Sequence, residues 1–127
     1  MTGTASGLDR RTEDNVADGQ PTISTHVLDT GSGRPAASVV VTLYRIDTED
    51  GKPGRMTQTM TDGDGRVADL LERPLQPGAY RIEFTIDPER WTFFTRVAVD
   101  FRVDDTSRSY HVPLLLAPFG ATTYRGS

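Results

Sequence analysis

The sequence predicts an all-β sandwich with one short helical turn, and three observations carry that reading. Period-two alternation of apolar and polar residues recurs along the chain, whereas helical periodicity is nearly absent. The alternating stretches are short and are separated by turn-forming runs such as Asp29-Thr30-Gly31-Ser32-Gly33, Asp50-Gly51 and Asp62-Gly63-Asp64-Gly65, whose residues tolerate positive φ. A length of 127 residues with 35% hydrophobic content suits one core and is too short for two full domains.

Taken in order, strands are expected near Ile23–Leu28, Ser38–Ile46, Met56–Thr61 and Arg66–Leu70. The clearest follows, with Tyr80, Ile82, Phe84 and Ile86 on one face and Arg81, Glu83 and Thr85 on the other. The next repeats the pattern, setting Val97, Val99, Phe101 and Val103 against Arg96, Ala98, Asp100 and Arg102, so these two are expected to pair antiparallel in one sheet. Between them Asp87-Pro88-Glu89-Arg90-Trp91 reads as a helical turn, with Asp87 as N-cap, Pro88 in the first helical position and Glu89 near the positive dipole end. The last strand, Tyr110–Ala117, contains Pro113, which removes a ladder donor and implies an edge, a bulge or one-sided pairing there.

Composition narrows the function. Fourteen Lys plus Arg against eighteen Asp plus Glu leave a formal charge of -4, which repels a phosphate backbone and disfavours nucleic acid as a partner. The absence of cysteine removes disulfides, thiolate nucleophiles and Cys-based zinc sites, so any catalysis rests on oxygen and nitrogen groups. No stretch approaches the roughly 20 apolar residues of a membrane helix. Met1–Gln20 lacks the apolar core of a secretory signal and reads as a disordered lead before a domain at 21–127, consistent with a cytoplasmic location.

The glycine run Gly31-Ser32-Gly33-Arg34-Pro35-Ala36 reads as a turn, because a strand rather than a helix follows it and Pro35 does not suit a phosphate cradle. Asp62-Gly63-Asp64-Gly65 resembles the start of a calcium loop but lacks helical flanks and a closing acid. Two histidines without cysteine make a weak zinc site, and no metal or organic cofactor is expected. His26 and His111 each sit among strand residues; taken alone, such histidines are more often structural than catalytic. The tail Thr122-Thr123-Tyr124-Arg125-Gly126-Ser127 either frays or docks back on the domain to present polar groups, and composition does not decide between the two.

Read together, Ser24-Thr25-His26-Val27-Leu28-Asp29, Asp64-Gly65-Arg66, Tyr110-His111-Val112-Pro113-Leu114-Leu115-Leu116-Ala117-Pro118-Phe119-Gly120 and Tyr124-Arg125-Gly126-Ser127 resemble the 5-hydroxyisourate hydrolases, the transthyretin-like enzymes of urate breakdown. The tail is the most specific of these motifs, since transthyretin itself lacks it. The resemblance implies a transthyretin-like two-sheet antiparallel β-sandwich with one short helix, assembled as a homotetramer with active sites at the dimer–dimer interface. It implies a catalytic set of His26, Arg66, His111 and Ser127, with Tyr124, Arg125 and Gly126 in substrate binding or tail docking. The substrate would be a small purine-derived heterocycle, opened at a ring amide to a ureidoimidazoline on the way to allantoin. Two departures stand out: the loop Asp47 to Arg55 is long, making Arg55 a competing arginine, and Phe93-Phe94-Thr95-Arg96-Val97 stands where relatives have a proline and an acid.

Such a hydrolysis needs a base, charge stabilisation and orientation. A guanidinium beside an imidazole lowers its pKa and keeps the neutral base available, a pairing expected of His26 and Arg66. His111 is expected to hydrogen-bond substrate and protonate the leaving nitrogen. Ser127 is expected to orient water or substrate, because no acid completes a nucleophilic triad with it. The rival classes are a transthyretin-type binding module and a generic interaction sandwich, since a fold by itself does not fix function.

Overall fold

A computed structural model describes residues 19–126. Of the expected lead, residues 1–18 lie outside the described residues, as does Ser127. The remainder folds into ten strands: β1 (Ile23–Asp29), β2 (Arg34–Pro35), β3 (Val40–Arg45), β4 (Gly54–Met60), β5 (Arg66–Val67), β6 (Gly78–Thr85), β7 (Arg96–Val103), β8 (Tyr110–His111), β9 (Leu114–Leu116) and β10 (Ala121–Thr123).

Two sheets face each other. One has the order β4-β3-β6-β7; the other runs β10-β9-β1-β2, with β5 and β8 also paired to β1. The expected antiparallel partnership of the two clearest strands is present over its full length, from Gly78 opposite Val103 to Thr85 opposite Arg96. Alternation sends Tyr80, Ile82 and Phe84 into the core, where they are fully buried, and turns Arg81 outward to a bidentate pair with Asp100 at 2.6 and 3.0 Å. Exposed pairs of this kind contribute about 0–1 kcal/mol, so the sheet is held mainly by burial, at about 1.5–3 kcal/mol for each large apolar side chain.

The facing layer is supplied by Ile23 and Val27 of β1 and by Leu114 and Leu116 of β9, all fully buried. On β7 the inward residues Val97, Val99 and Phe101 are only half-buried, because β7 is an edge strand with a partner on one side alone.

Several expectations shift in detail. The second sheet is mixed rather than wholly antiparallel: β8 and β9 run parallel to β1, since the chain crosses between the sheets after β7 and returns in the direction of β1. Pro113 divides the expected Tyr110–Ala117 strand into β8 and β9. The strand expected at Arg66–Leu70 is only Arg66–Val67, because the chain turns inward to bury Leu70 and Leu71. The short helix amounts to one turn: Asp87 caps it through Glu89 N–H at 2.9 Å, and its carbonyl accepts Trp91 N–H at 3.0 Å before the chain straightens. Trp91 anchors that turn in the core, with the Arg90 guanidinium stacked on its ring at 4.3 Å. Among the described residues no helix is long and apolar enough to cross a membrane.

Candidate active site

The site begins with alternation on β1. Ile23, Thr25 and Val27 are buried in the core, so Ser24 and His26 point to the outer face of the sheet. Two strands then bring partners to that face. Antiparallel pairing with β5 sets Arg66 directly opposite His26, and parallel pairing with β8 sets His111 opposite Ser24. His26, Arg66 and His111 therefore share one surface although they come from three separate segments. Arg55, the competing arginine, pairs with Tyr44 in the other sheet and takes no part.

Arg66 is delivered by a tightly tied turn. The Asp62 carboxylate accepts the N–H groups of Asp64 at 2.9 Å and Arg66 at 3.0 Å, while the Asp62 carbonyl accepts Gly65 N–H at 2.9 Å. The Gly65 carbonyl in turn accepts Val27 N–H at 2.8 Å, pinning the turn to β1 one residue beyond His26. Gly65 is required here, because φ is +74° and an added Cβ would lie 2.5 Å from the Val27 carbonyl oxygen. The resemblance of this loop to a calcium site thus has a different physical basis, that of an Asx-type turn presenting an arginine.

Both histidines are pushed toward the neutral form. Burial lowers the pKa of His26, and the Arg66 charge lowers it further; a backbone hydrogen bond at Asp64 and the carboxylates of Asp62 and Asp64 oppose the shift. His26 Nε2 is buried, with no hydrogen-bond partner among the described residues. For His111 the same order holds: burial lowers the pKa most, followed by Arg66 and then His26.

The His111 ring is fixed on two sides. Its Nδ1 lies 2.9 Å from Ser24 Oγ, and the Gly126 backbone lies against the ring so closely that a Cβ there would stand 2.6 Å from Cδ2. Gly126 N–H donates to the His111 carbonyl at 2.7 Å. The tail is therefore docked as far as Gly126. Pairing of β10 with β9, a bond from Thr123 Oγ1 to the Pro113 carbonyl at 2.8 Å, and the Arg125 guanidinium over the Tyr110 ring at 4.6 Å hold it in place.

Not all the expected site residues meet. Tyr110 is a buried core residue and His111 points the other way, so Arg125 stacks on the side of the strand opposite the histidines. Tyr124 is 54% exposed and, with Arg125, borders a cavity of about 230 Å³ beside Val99, Phe101 and Val112, again away from His26. Sequence reasoning missed Ser24 as a partner of His111; the signal was its position two residues before His26, which on a strand means the same face. Among the described residues no group of three or more His, Cys, Asp or Glu could hold a metal ion.

What the face offers chemically is two imidazoles with depressed pKa values, one of them anchored through Nδ1, and a guanidinium whose charge acts on both. Known proteins resemble this chain over most of its length. A 5-hydroxyisourate hydrolase of Halalkalibacterium halodurans is 40% identical over 116 residues, covering 83% of this chain and 97% of the relative. The structure of Klebsiella pneumoniae 5-hydroxyisourate hydrolase superposes with a TM-score of 0.72 at 34% identity, over 84% of this chain and 99% of that one. Sea bream transthyretin in complex with thyroxine superposes with a TM-score of 0.73 at 30% identity, over 82% and 93% of the two chains. Residues 23–126 match the model of the HIUase/Transthyretin family, and the chain belongs to that family.

Proposed function

We propose that this chain is a hydrolase that opens 5-hydroxyisourate at a ring amide, in the breakdown of urate. The observation that carries the reading is the outer face of β1, where His26, its buried Nε2 unpartnered among the described residues, shares one surface with Arg66 and His111. A thyroxine-type ligand calls for mostly apolar walls, whereas two imidazoles and a guanidinium suit a small polar heterocycle. The near full-length match to curated 5-hydroxyisourate hydrolases supports the same choice.

In the proposed mechanism His26 Nε2 takes a proton from water as the water oxygen bonds to the ring carbonyl carbon. General-base assistance of this kind contributes about 100- to 10,000-fold. Arg66 stabilises the negative charge that develops on the carbonyl oxygen. The ring C–N bond then breaks; the proton that His26 took from water passes to His111 Nε2, which delivers it to the leaving nitrogen, so that the OH of water ends on the carbonyl carbon and its proton on the nitrogen. The two imidazoles thus end as they began. Ser127, next in the chain after Gly126, orients water or substrate, while Arg125 and Tyr124 act in docking the tail rather than at the reacting ring. A homotetramer places this open sheet face across a channel between copies, and a cytoplasmic location accompanies the role.

The test is stopped-flow ultraviolet decay of 5-hydroxyisourate freshly generated from urate and urate oxidase, comparing the wild type with His111→Ala and a Ser127 deletion. Rapid decay that is lost in both variants supports the assignment. Decay no faster than the spontaneous reaction overturns it and leaves a transthyretin-type binding module.

A further inference from the structure

We propose that Ser24 is a positioning residue for His111, selecting both the ring orientation and the nitrogen that works on the substrate; the inference rests on the hydrolase reading above. Parallel pairing of β1 with β8 sets Ser24 opposite His111, and alternation turns both side chains to the outer face. The hydroxyl oxygen lies 2.9 Å from Nδ1. The other side of the ring is closed by Gly126, whose backbone lies against Cδ2. Rotating the ring by half a turn about Cβ–Cγ would exchange Nδ1 with Cδ2, giving up the hydroxyl contact and setting a polar nitrogen against the glycine backbone. Ser24 therefore holds one of two otherwise similar ring orientations, and in that orientation Nε2 is the nitrogen left for the substrate.

The chemistry adds a second constraint. For His111 to take and return one proton at Nε2, the other ring proton must stay on Nδ1 throughout. A hydroxyl oxygen accepts Nδ1–H both when the ring is neutral and, more strongly, when it is charged, so the same bond persists while Nε2 gains and loses its proton. The charged and titratable groups that act on the ring are Arg66 from β5 and His26 from β1. A guanidinium has no acceptor, and it is the Ser24 hydroxyl, not the His26 ring, that lies within hydrogen-bond distance of Nδ1.

Ser24→Ala, Ser24→Thr and His111→Ala are compared with the wild type by the same decay assay and by nitrogen-resolved NMR of the imidazole rings. In the wild type the neutral His111 ring carries its proton on Nδ1. Ser24→Ala is expected to lower kcat about tenfold, with KM within about twofold, and to lose the Nδ1–H tautomer. Ser24→Thr keeps a hydroxyl and restores both. An active wild type and an inactive His111→Ala beside a Ser24→Ala protein with wild-type kcat, or with the wild-type tautomer, overturn the Ser24 assignment alone. A wild type that does not accelerate the decay overturns the hydrolase reading itself.

Discussion

Replacing Gly126 with alanine probes the contact between tail and ring directly. The new Cβ would stand 2.6 Å from His111 Cδ2 and 3.2 Å from its Cβ and Cγ. Ordinary contact begins at 3.4 Å, so tail and ring must part by about 0.8 Å or more. The ring is held on its other side by Ser24, and the tail by its 2.7 Å bond to the His111 carbonyl, so relief at either place disturbs the site. A displacement of about 1 Å in a reacting geometry costs about 100-fold in rate. The same change removes at most one backbone hydrogen bond near the chain end, about 1 kcal/mol, which corresponds to a melting shift of only about 4 °C. The expected result is therefore a loss of about 100-fold in kcat/KM for 5-hydroxyisourate decay in a protein whose melting temperature is nearly unchanged. A Gly126→Ala protein with kcat/KM within about threefold of wild type would refute the claim that the tail backbone positions His111.

Further predictions concern Arg66 and its turn. Burial and Arg66 both depress the histidine pKa values, so folding stability falls as pH drops below the ordinary histidine value of 6.5, where the unfolded chain binds protons first, and the neutral, active form is lost as pH drops further through the depressed folded-state values. Arg66→Gln removes a depressing influence that the two histidines share. The acid limb of the kcat/KM profile should then move to higher pH and the acid loss of stability in urea titrations should shrink; an unmoved limb would show that the guanidinium does not act on the imidazoles. Gly65→Ala forces a Cβ to within 2.5 Å of the Val27 carbonyl and 3.1 Å of Ala36 N at a φ of +74°. It should cost about 2–4 kcal/mol and lower the melting temperature by about 8 °C or more, measured by calorimetry.

Much of this was legible in the chain. Alternation at Tyr80–Thr85 and Arg96–Val103 identified inward and outward residues, and the outward Arg81 and Asp100 meet across the strands as that pattern requires. Asp62 and Gly65 marked a turn whose geometry admits little else. The pattern misled where tertiary forces compete with local ones: Arg66–Leu70 alternates weakly and gives up strand pairing to bury Leu70 and Leu71. The parallel course of β8 and β9 beside β1 has no local signal at all, because pairing direction depends on how the chain crosses between sheets.

The candidate site divides in the same way. His26, Arg66 and His111 were singled out from residue types in motifs, and the resemblance supplied their roles, but nothing local joins residues so far apart along the chain. Their meeting depends on two registers, His26 with Arg66 and Ser24 with His111, either of which a slip of one residue would turn to the opposite face. The sequence by itself determined the strand-forming pattern, the turn that carries Arg66 and the polar chemistry available, since these follow from side-chain type and short-range spacing. Only the tertiary structure decided that Ser24 and Gly126 grip His111, that Arg125 stacks on Tyr110 away from it, and that His26 Nε2 is buried with no partner among the described residues. Those outcomes are contacts between segments distant in the chain, and side-chain type and local spacing do not encode them.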